Sequence, residues 1–195
     1  MKFFAPITNA LSRRAVRGVA VVALGVGAAL ATAGAASAAP AAHPQDAGWQ
    51  ISWSSPYLIT ASYDLLNVAV SQGSTANGAP IIQWPADGGS EQVWYFGTET
   101  YDGVYQGTVI DNGNSGKCIQ TDGVAGDGLT QGTCYYGDTD QEFSINGSLG
   151  GYDSFQNVAT GLYLDVSGYS WSQGANIDLW YNNAQPNQTF HTLQW

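Results

Sequence analysis

A glutamine followed two positions later by an aromatic residue recurs three times in this chain: Gln92-Val93-Trp94, Gln141-Glu142-Phe143 and Gln188-Thr189-Phe190. The spacings are 49 and 47 residues. A near-constant period of this length means that one supersecondary unit is used three times, each copy burying its apolar face against the others. The third copy superposes on the first without a gap: Val166 falls on Val70, Gly174 on Gly78, Ile177 on Ile81, Trp180 on Trp84, Gln188 on Gln92 and Phe190 on Trp94. In the middle copy Cys118-Ile119-Gln120 lies opposite Tyr163-Leu164-Asp165, and the stretch from there to Gln141 is two residues shorter.

The segments inside each copy read as short strands. Val104 to Ile110, Ile177 to Tyr181 and Thr189 to Leu193 carry β-branched and aromatic residues in partial alternation with polar ones. Clusters of Gly, Asn, Asp and Ser separate them, at 86–90, 111–116 and 147–151. Beyond the N-terminal leader no stretch has a helical period, so the class is all-β. Three units of this length are too few to close a propeller, and a closed threefold barrel suits them better. In that setting each aromatic of the repeated pair packs in the core, and each glutamine amide ties its own repeat together by hydrogen bonds.

The first 38 residues read as a cleaved signal peptide. Lys2, Arg13, Arg14 and Arg17 precede an unbroken Gly/Ala/Val/Leu run over 18–30, and Ala36-Ser37-Ala38 is a small-residue cleavage signal. Arg13-Arg14 resembles a twin-arginine signal, and Sec and twin-arginine export both stay open. The expectation is a secreted, extracellular protein, with residues 39–50 a disordered lead-in and 51–195 one domain, its repeats near 51–99, 100–148 and 149–195. Removing the leader leaves Lys117 as the one basic residue against fifteen acidic ones, a formal charge of −14. That balance argues against nucleic acid and against an anionic membrane surface as partners, since both need clustered cations, and it favours a neutral partner. Cys118 and Cys134 read as a disulfide, worth about 3 kcal/mol for so short a loop. A metal site is the weaker reading of the pair, and no cofactor is expected.

With these residues in place the chain resembles the ricin B-type lectin family. The resemblance rests on the threefold glutamine–aromatic pair, on Lys117-Cys118-Ile119, on Gln72 to Gly78 and on Gly161-Leu162-Tyr163-Leu164-Asp165-Val166, and it covers about residues 51 to 195. It implies a β-trefoil of twelve strands with up to three sugar pockets, one per repeat, and places Cys118 and Cys134 where the family often closes a disulfide within one repeat. It also implies a division of labour in a pocket: an early Asp accepts hydrogen bonds from adjacent sugar hydroxyls, a mid-repeat aromatic stacks on the sugar's C–H face, and an Asn before the repeated Gln adds a polar contact.

The third repeat keeps this set, with Asp165 as acceptor, Trp180 as platform, Asn187 beside Gln188, and Asp178 at a secondary polar position. Asp165 and Trp180 are expected to face each other across a shallow, solvent-exposed dip. The first repeat keeps Trp84 but has Ala69 for the acceptor and Glu91 for the Asn; the middle repeat has Gln120, Gly132 and Asp140 at the three places. Both are expected to be degenerate pockets, because a sugar hydroxyl buried without its acceptor costs about 1–3 kcal/mol. Tyr169 and Trp171 either extend the third platform or cover the barrel. The expected activity is non-enzymatic binding, by a monomer, of a neutral, galactose-type sugar or polysaccharide. Two other readings stay open: a glycoside hydrolase-like enzyme using carboxylates such as Asp138, Asp140 and Glu142, whose spacing also hints at calcium, and a β-trefoil protease inhibitor or protein-binding module.

Overall fold

The structure is a computed structural model that describes residues 48–195. The expected signal peptide and most of the lead-in lie outside the described residues. Thirteen strands follow one another: β1 (Trp49–Trp53), β2 (Tyr57–Ala61), β3 (Asn67–Val70), β4 (Ile81–Trp84), β5 (Trp94–Tyr101), β6 (Val104–Asn112), β7 (Cys118–Gln120), β8 (Thr130–Gly132), β9 (Glu142–Asn146), β10 (Tyr152–Asn157), β11 (Tyr163–Val166), β12 (Ile177–Trp180) and β13 (Phe190–Gln194). The helical elements among the described residues are single 3₁₀ turns, as at Ser71–Gly73 and Ser167–Tyr169.

Six strands close a barrel. β2 pairs with β5, β5 with β6, β6 with β9, β9 with β10, β10 with β13, and β13 with β2, every pair antiparallel. The hairpins β3–β4, β7–β8 and β11–β12 cap one end. They touch one another in a cyclic set of bridges, Pro80 to Thr130, Gly128 to Asp178 and Asn176 to Ile82. This is the expected β-trefoil, and closure leaves no barrel edge free to pair with another chain.

The core follows the threefold rule residue by residue. Trp94, Phe143 and Phe190, the aromatics of the repeated pair, are fully buried together with Ile59, Ile110 and Phe155 from β2, β6 and β10. The glutamines tie their repeats as expected. The amide of Gln92 donates to the Pro85 carbonyl (2.8 Å), that of Gln141 to Thr133 (2.8 Å) and that of Gln188 to Tyr181 (2.9 Å). Each side-chain oxygen then accepts a backbone N–H, from Asp87, Tyr135 and Asn183 respectively. A bond between side chain and backbone at the start of each final strand fixes the approach of the preceding loop.

Two expectations need correction. The strands number thirteen rather than twelve, and the ordered domain begins inside the stretch assigned to the lead-in. Trp49-Gln50-Ile51-Ser52-Trp53 alternates apolar and polar side chains, and β1 pairs with the outer half of β5, from Trp49 against Tyr101 to Trp53 against Gly97. β5 and β6 run past the barrel as a long hairpin, and β1 covers the flank this leaves. Ile51 and Trp53 pack beside Val109 and the disulfide. Cys118 and Cys134 are joined, across a sequence separation of 16.

Candidate functional site

In the third repeat the adjacent strands β11 and β12 set Asp165 directly opposite Asp178 and Tyr163 opposite Trp180. A cleft of about 650 Å³ opens between this hairpin, the Ser167–Tyr169 turn and the 183–187 loop. Asp165, Asp178, Trp180 and Asn187 all line it. The indole of Trp180 is turned outward and is 43 % exposed.

Asp165 is held from behind. The Asn187 amide donates to both of its carboxylate oxygens at 2.8 Å, the Gln188 amide to Oδ2 at 2.8 Å and the Asn183 amide to Oδ2 at 3.4 Å. The carboxylate is far more enclosed than expected: only 3 % of the residue is exposed, so it is reached through the cleft and not from open solvent. Burial raises its pKa from 3.8 to about 6, the charge of Asp178 adds to the rise, and the three amides oppose it. Asp178 is raised as well, chiefly by burial and against a hydrogen bond from Ser167, and its Oδ1 has no hydrogen-bond partner. Two carboxylates opposed across a strand pair repel each other. Donors arriving in the cleft would relieve both, and an array of hydroxyl groups supplies such donors without adding charge.

Gln188 lies behind the carboxylate and does not line the cleft; its amide is divided between Asp165 and Tyr181. It positions Asp165. Five lining residues were not anticipated from sequence: Gly126, Ser167, Gly168, Asn183 and Gln185. Asn183 braces Asp165 and Ser167 braces Asp178; both stand at loop positions whose equivalents in the first repeat are Asp87 and Ser71. Gly126 comes from the middle repeat and lies beneath Trp180, where an added Cβ would sit 3.0 Å from the indole.

The other two repeats diverge for separate reasons. The first has a cleft of about 350 Å³ lined by the equivalent residues, with Ala69 and Ile82 replacing the two carboxylates and Asp87 and Glu91 replacing the two asparagines. Trp84 remains, but the strand floor beneath it carries no carboxylate, and the acidic groups Asp87 and Glu91 come from the loop side. In the middle repeat the loop from Gln120 to Gly126 is three residues shorter than its counterpart from Asp165 to Gly174, and the stretch from Gly132 to Gln141 is one residue longer than that from Trp180 to Gln188. The 3₁₀ turn that walls the other two clefts is therefore missing. The Gln120 side chain accepts from Gln141 and lies over Gly132, where an added Cβ would be 1.8 Å from its oxygen. The amide fills the space a platform would need. Asp140 is exposed.

The lectin-like family model described as ricin-type beta-trefoil lectin domain-like matches residues 45–125, 90–180 and 139–193, one overlapping match for each repeat. The chain belongs to this family. Its members' fold is shared by a designed threefold-symmetric protein, ThreeFoil, at 26 % identity and a TM-score of 0.62 over 72 % of this chain and 99 % of that one. The C-terminal half of an earthworm R-type lectin, solved with GalNAc, is 18 % identical with a TM-score of 0.59 over 73 % and 100 %. The ricin B-like lectin of Macrolepiota procera, solved with lactose, is 21 % identical with a TM-score of 0.57 over 72 % and 95 %. No curated protein sequence matches the chain.

The remaining acidic candidates do not form one site. Glu142 is buried and hydrogen-bonds Glu99 of β5 across the intervening β6, whereas Asp140 is exposed, so the Asp138, Asp140 and Glu142 series does not converge. Asp111 lies with the two cysteines, but their sulfurs are committed to the disulfide.

Proposed function

We propose that the chain is a secreted, non-enzymatic carbohydrate-binding module that takes a neutral, galactose-type sugar or polysaccharide in the third-repeat cleft. One observation carries this reading: a carboxylate locked by three amides shares a cleft with an outward-facing indole. The carboxylate accepts hydrogen bonds from two adjacent hydroxyls, and the indole takes the apolar face of the ring. Asp178 and Asn187 orient the sugar from the floor. The galactose preference draws on the relatives solved with lactose and with GalNAc. The excess of negative charge disfavours nucleic acid and anionic membrane, and a monomer suffices because the cleft is complete within one chain. Secretion follows from the leader and is checked by sequencing the N-terminus of protein recovered from the medium, with Ala39 expected first.

The test is retention on immobilised galactose and on xylan. Asp165→Ala and Trp180→Ala are each expected to abolish it, and Trp84→Ala to change it by less than about twofold, because the first-repeat cleft has Ala69 and Ile82 in place of the two strand carboxylates. Equal loss in all three variants, with circular dichroism unchanged, would refute the third-repeat assignment. Hydrolysis of the polymer by the wild type would return the enzymatic reading.

A further inference from the structure

The third-repeat cleft has one wall that breaks the threefold symmetry. Tyr169 lines the cleft at its rim. It stands at φ +54°, where the first repeat has Gly73 at φ +60° and the middle repeat has no equivalent turn. A tyrosine in the left-handed region is strained, and such strain persists only where the surroundings enforce it. Here they do. The Tyr169 ring stacks on Tyr63 at 4.7 Å and 18°, and Trp171 meets the other side of this group edge-on at 5.1 Å from Tyr63. The Tyr63 hydroxyl donates to the Ser170 carbonyl, and the amide of Gln83 donates to the carbonyls of Ser170 and Ser172 at 2.9 and 3.0 Å. The first repeat therefore clamps the loop that carries both aromatics.

The glutamine half of this clamp recurs, with Gln131 donating to the carbonyls of Ser74 and Ala76 at 2.8 and 2.9 Å in the first repeat's loop, and the tyrosine half does not. The positions equivalent to Tyr63 are Asn114 and Ala159. The rings gather at the cleft that holds the paired carboxylates, and Trp171 is left 65 % exposed, unusually bare for a residue whose loop is fixed. The cleft itself is about 650 Å³ against about 350 Å³ in the first repeat. A braced group of aromatic rings beside a hydroxyl-binding pocket, two of them exposed, suits the repeating apolar faces of a linear glycan.

We infer that Tyr169 and Trp171 form a second subsite, so that the ligand is an internal or terminal stretch of a linear oligosaccharide or polysaccharide of at least two or three units, not a single sugar. The inference rests on the third-repeat cleft binding sugar. Tyr169 takes the unit next to the one on Trp180, and Trp171 the one beyond.

The experiment measures affinity by calorimetry for galacto-, xylo- and arabino-oligosaccharides of one to five units, using the wild type, Tyr169→Gly, Trp171→Ala and Asp165→Ala. In one of these series the wild type is expected to gain about tenfold or more from one unit to three, each ring contributing about three- to tenfold. Tyr169→Gly and Trp171→Ala should each flatten that dependence on length. Glycine suits the φ of position 169, so the variant is expected to fold, which a thermal melt verifies. Asp165-dependent binding with no gain from length, or a gain untouched by both aromatic variants, overturns the subsite and leaves the cleft standing. The absence of Asp165-dependent binding at every length overturns the cleft and the subsite together.

Discussion

In the proposed function binding turns on Asp165, whose chemistry depends on protonation. Its pKa of about 6 is raised by burial and by Asp178. Below that value the carboxyl is neutral and loses half its capacity to accept hydroxyl hydrogens; above it the carboxylate accepts from both oxygens. Sugar affinity should therefore rise with pH through about 6 and be about tenfold weaker at pH 5 than at pH 7.5, as a binding titration at several pH values would show. Asp178, shifted in the same direction, makes the fall steeper. Asp165→Asn should bind weakly and without this pH dependence. That Asp165, Asp178, Trp180 and Asn187 share one pocket was expected from the family resemblance, and all four line the cleft. The enclosure of Asp165 was not expected, because the amides of Asn183, Asn187 and Gln188 reach it only once the 183–188 loop has folded back over β11.

At the level of elements, the cleft belongs to more than one repeat. The β11–β12 hairpin supplies the carboxylates and the indole, but the turn before β8 supplies Gly126 beneath that indole, and β4 supplies the Gln83 amide that fixes the opposite loop. Gly126 stands at φ +88° with Trp180 3.0 Å from where its Cβ would be. Gly126→Ala should cost roughly 1 kcal/mol of stability from backbone strain and, by pushing the indole off its seat, weaken sugar binding about tenfold. Paired thermal melts and retention assays separate the two effects. A loss of stability alone would mean that the indole has room to adjust. β1 shows the opposite case. Its alternation at Trp49, Ile51 and Trp53 was present in the sequence, but the Ala- and Pro-rich composition just before it masked where order begins.

Across the whole molecule, the barrel buries carboxyl groups that have no role in the cleft. Glu99 on β5 and Glu142 on β9 meet behind β6, with Gly107 leaving them room. Burial raises Glu99 from 4.5 to about 7, and Glu142 is raised for the same reason. Asp111, next to the disulfide, is raised by burial from 3.8 to about 7. In each case the folded protein holds its proton to higher pH than the unfolded chain does. For Glu99 and Asp111 the stabilisation is fully present below the ordinary carboxylate range and is lost as pH rises through about 7, and Glu142 acts in the same direction. The melting temperature should thus fall between pH 5 and pH 8, by about 5 °C or more, and Glu99→Gln should flatten that slope. A melting temperature that rises over this interval would contradict the burial of these groups as acids.

The sequence alone determined the threefold unit, the all-β class, the core aromatics, the tying glutamines and the residues of the third-repeat hairpin. These follow from spacing, because a repeat that cannot bury its own apolar face must meet its copies in register. The tertiary structure decided what the hairpin became. Closure of the barrel brings Gly126, Gln83 and Tyr63 from other repeats against the third one, and it sets the enclosure of Asp165 and the pairing of Glu99 with Glu142. Such contacts depend on how the chain returns on itself in space: the period repeats the residue types, Gln131 for Gln83 and Gly174 for Gly126, and closure decides which loop or ring each one meets.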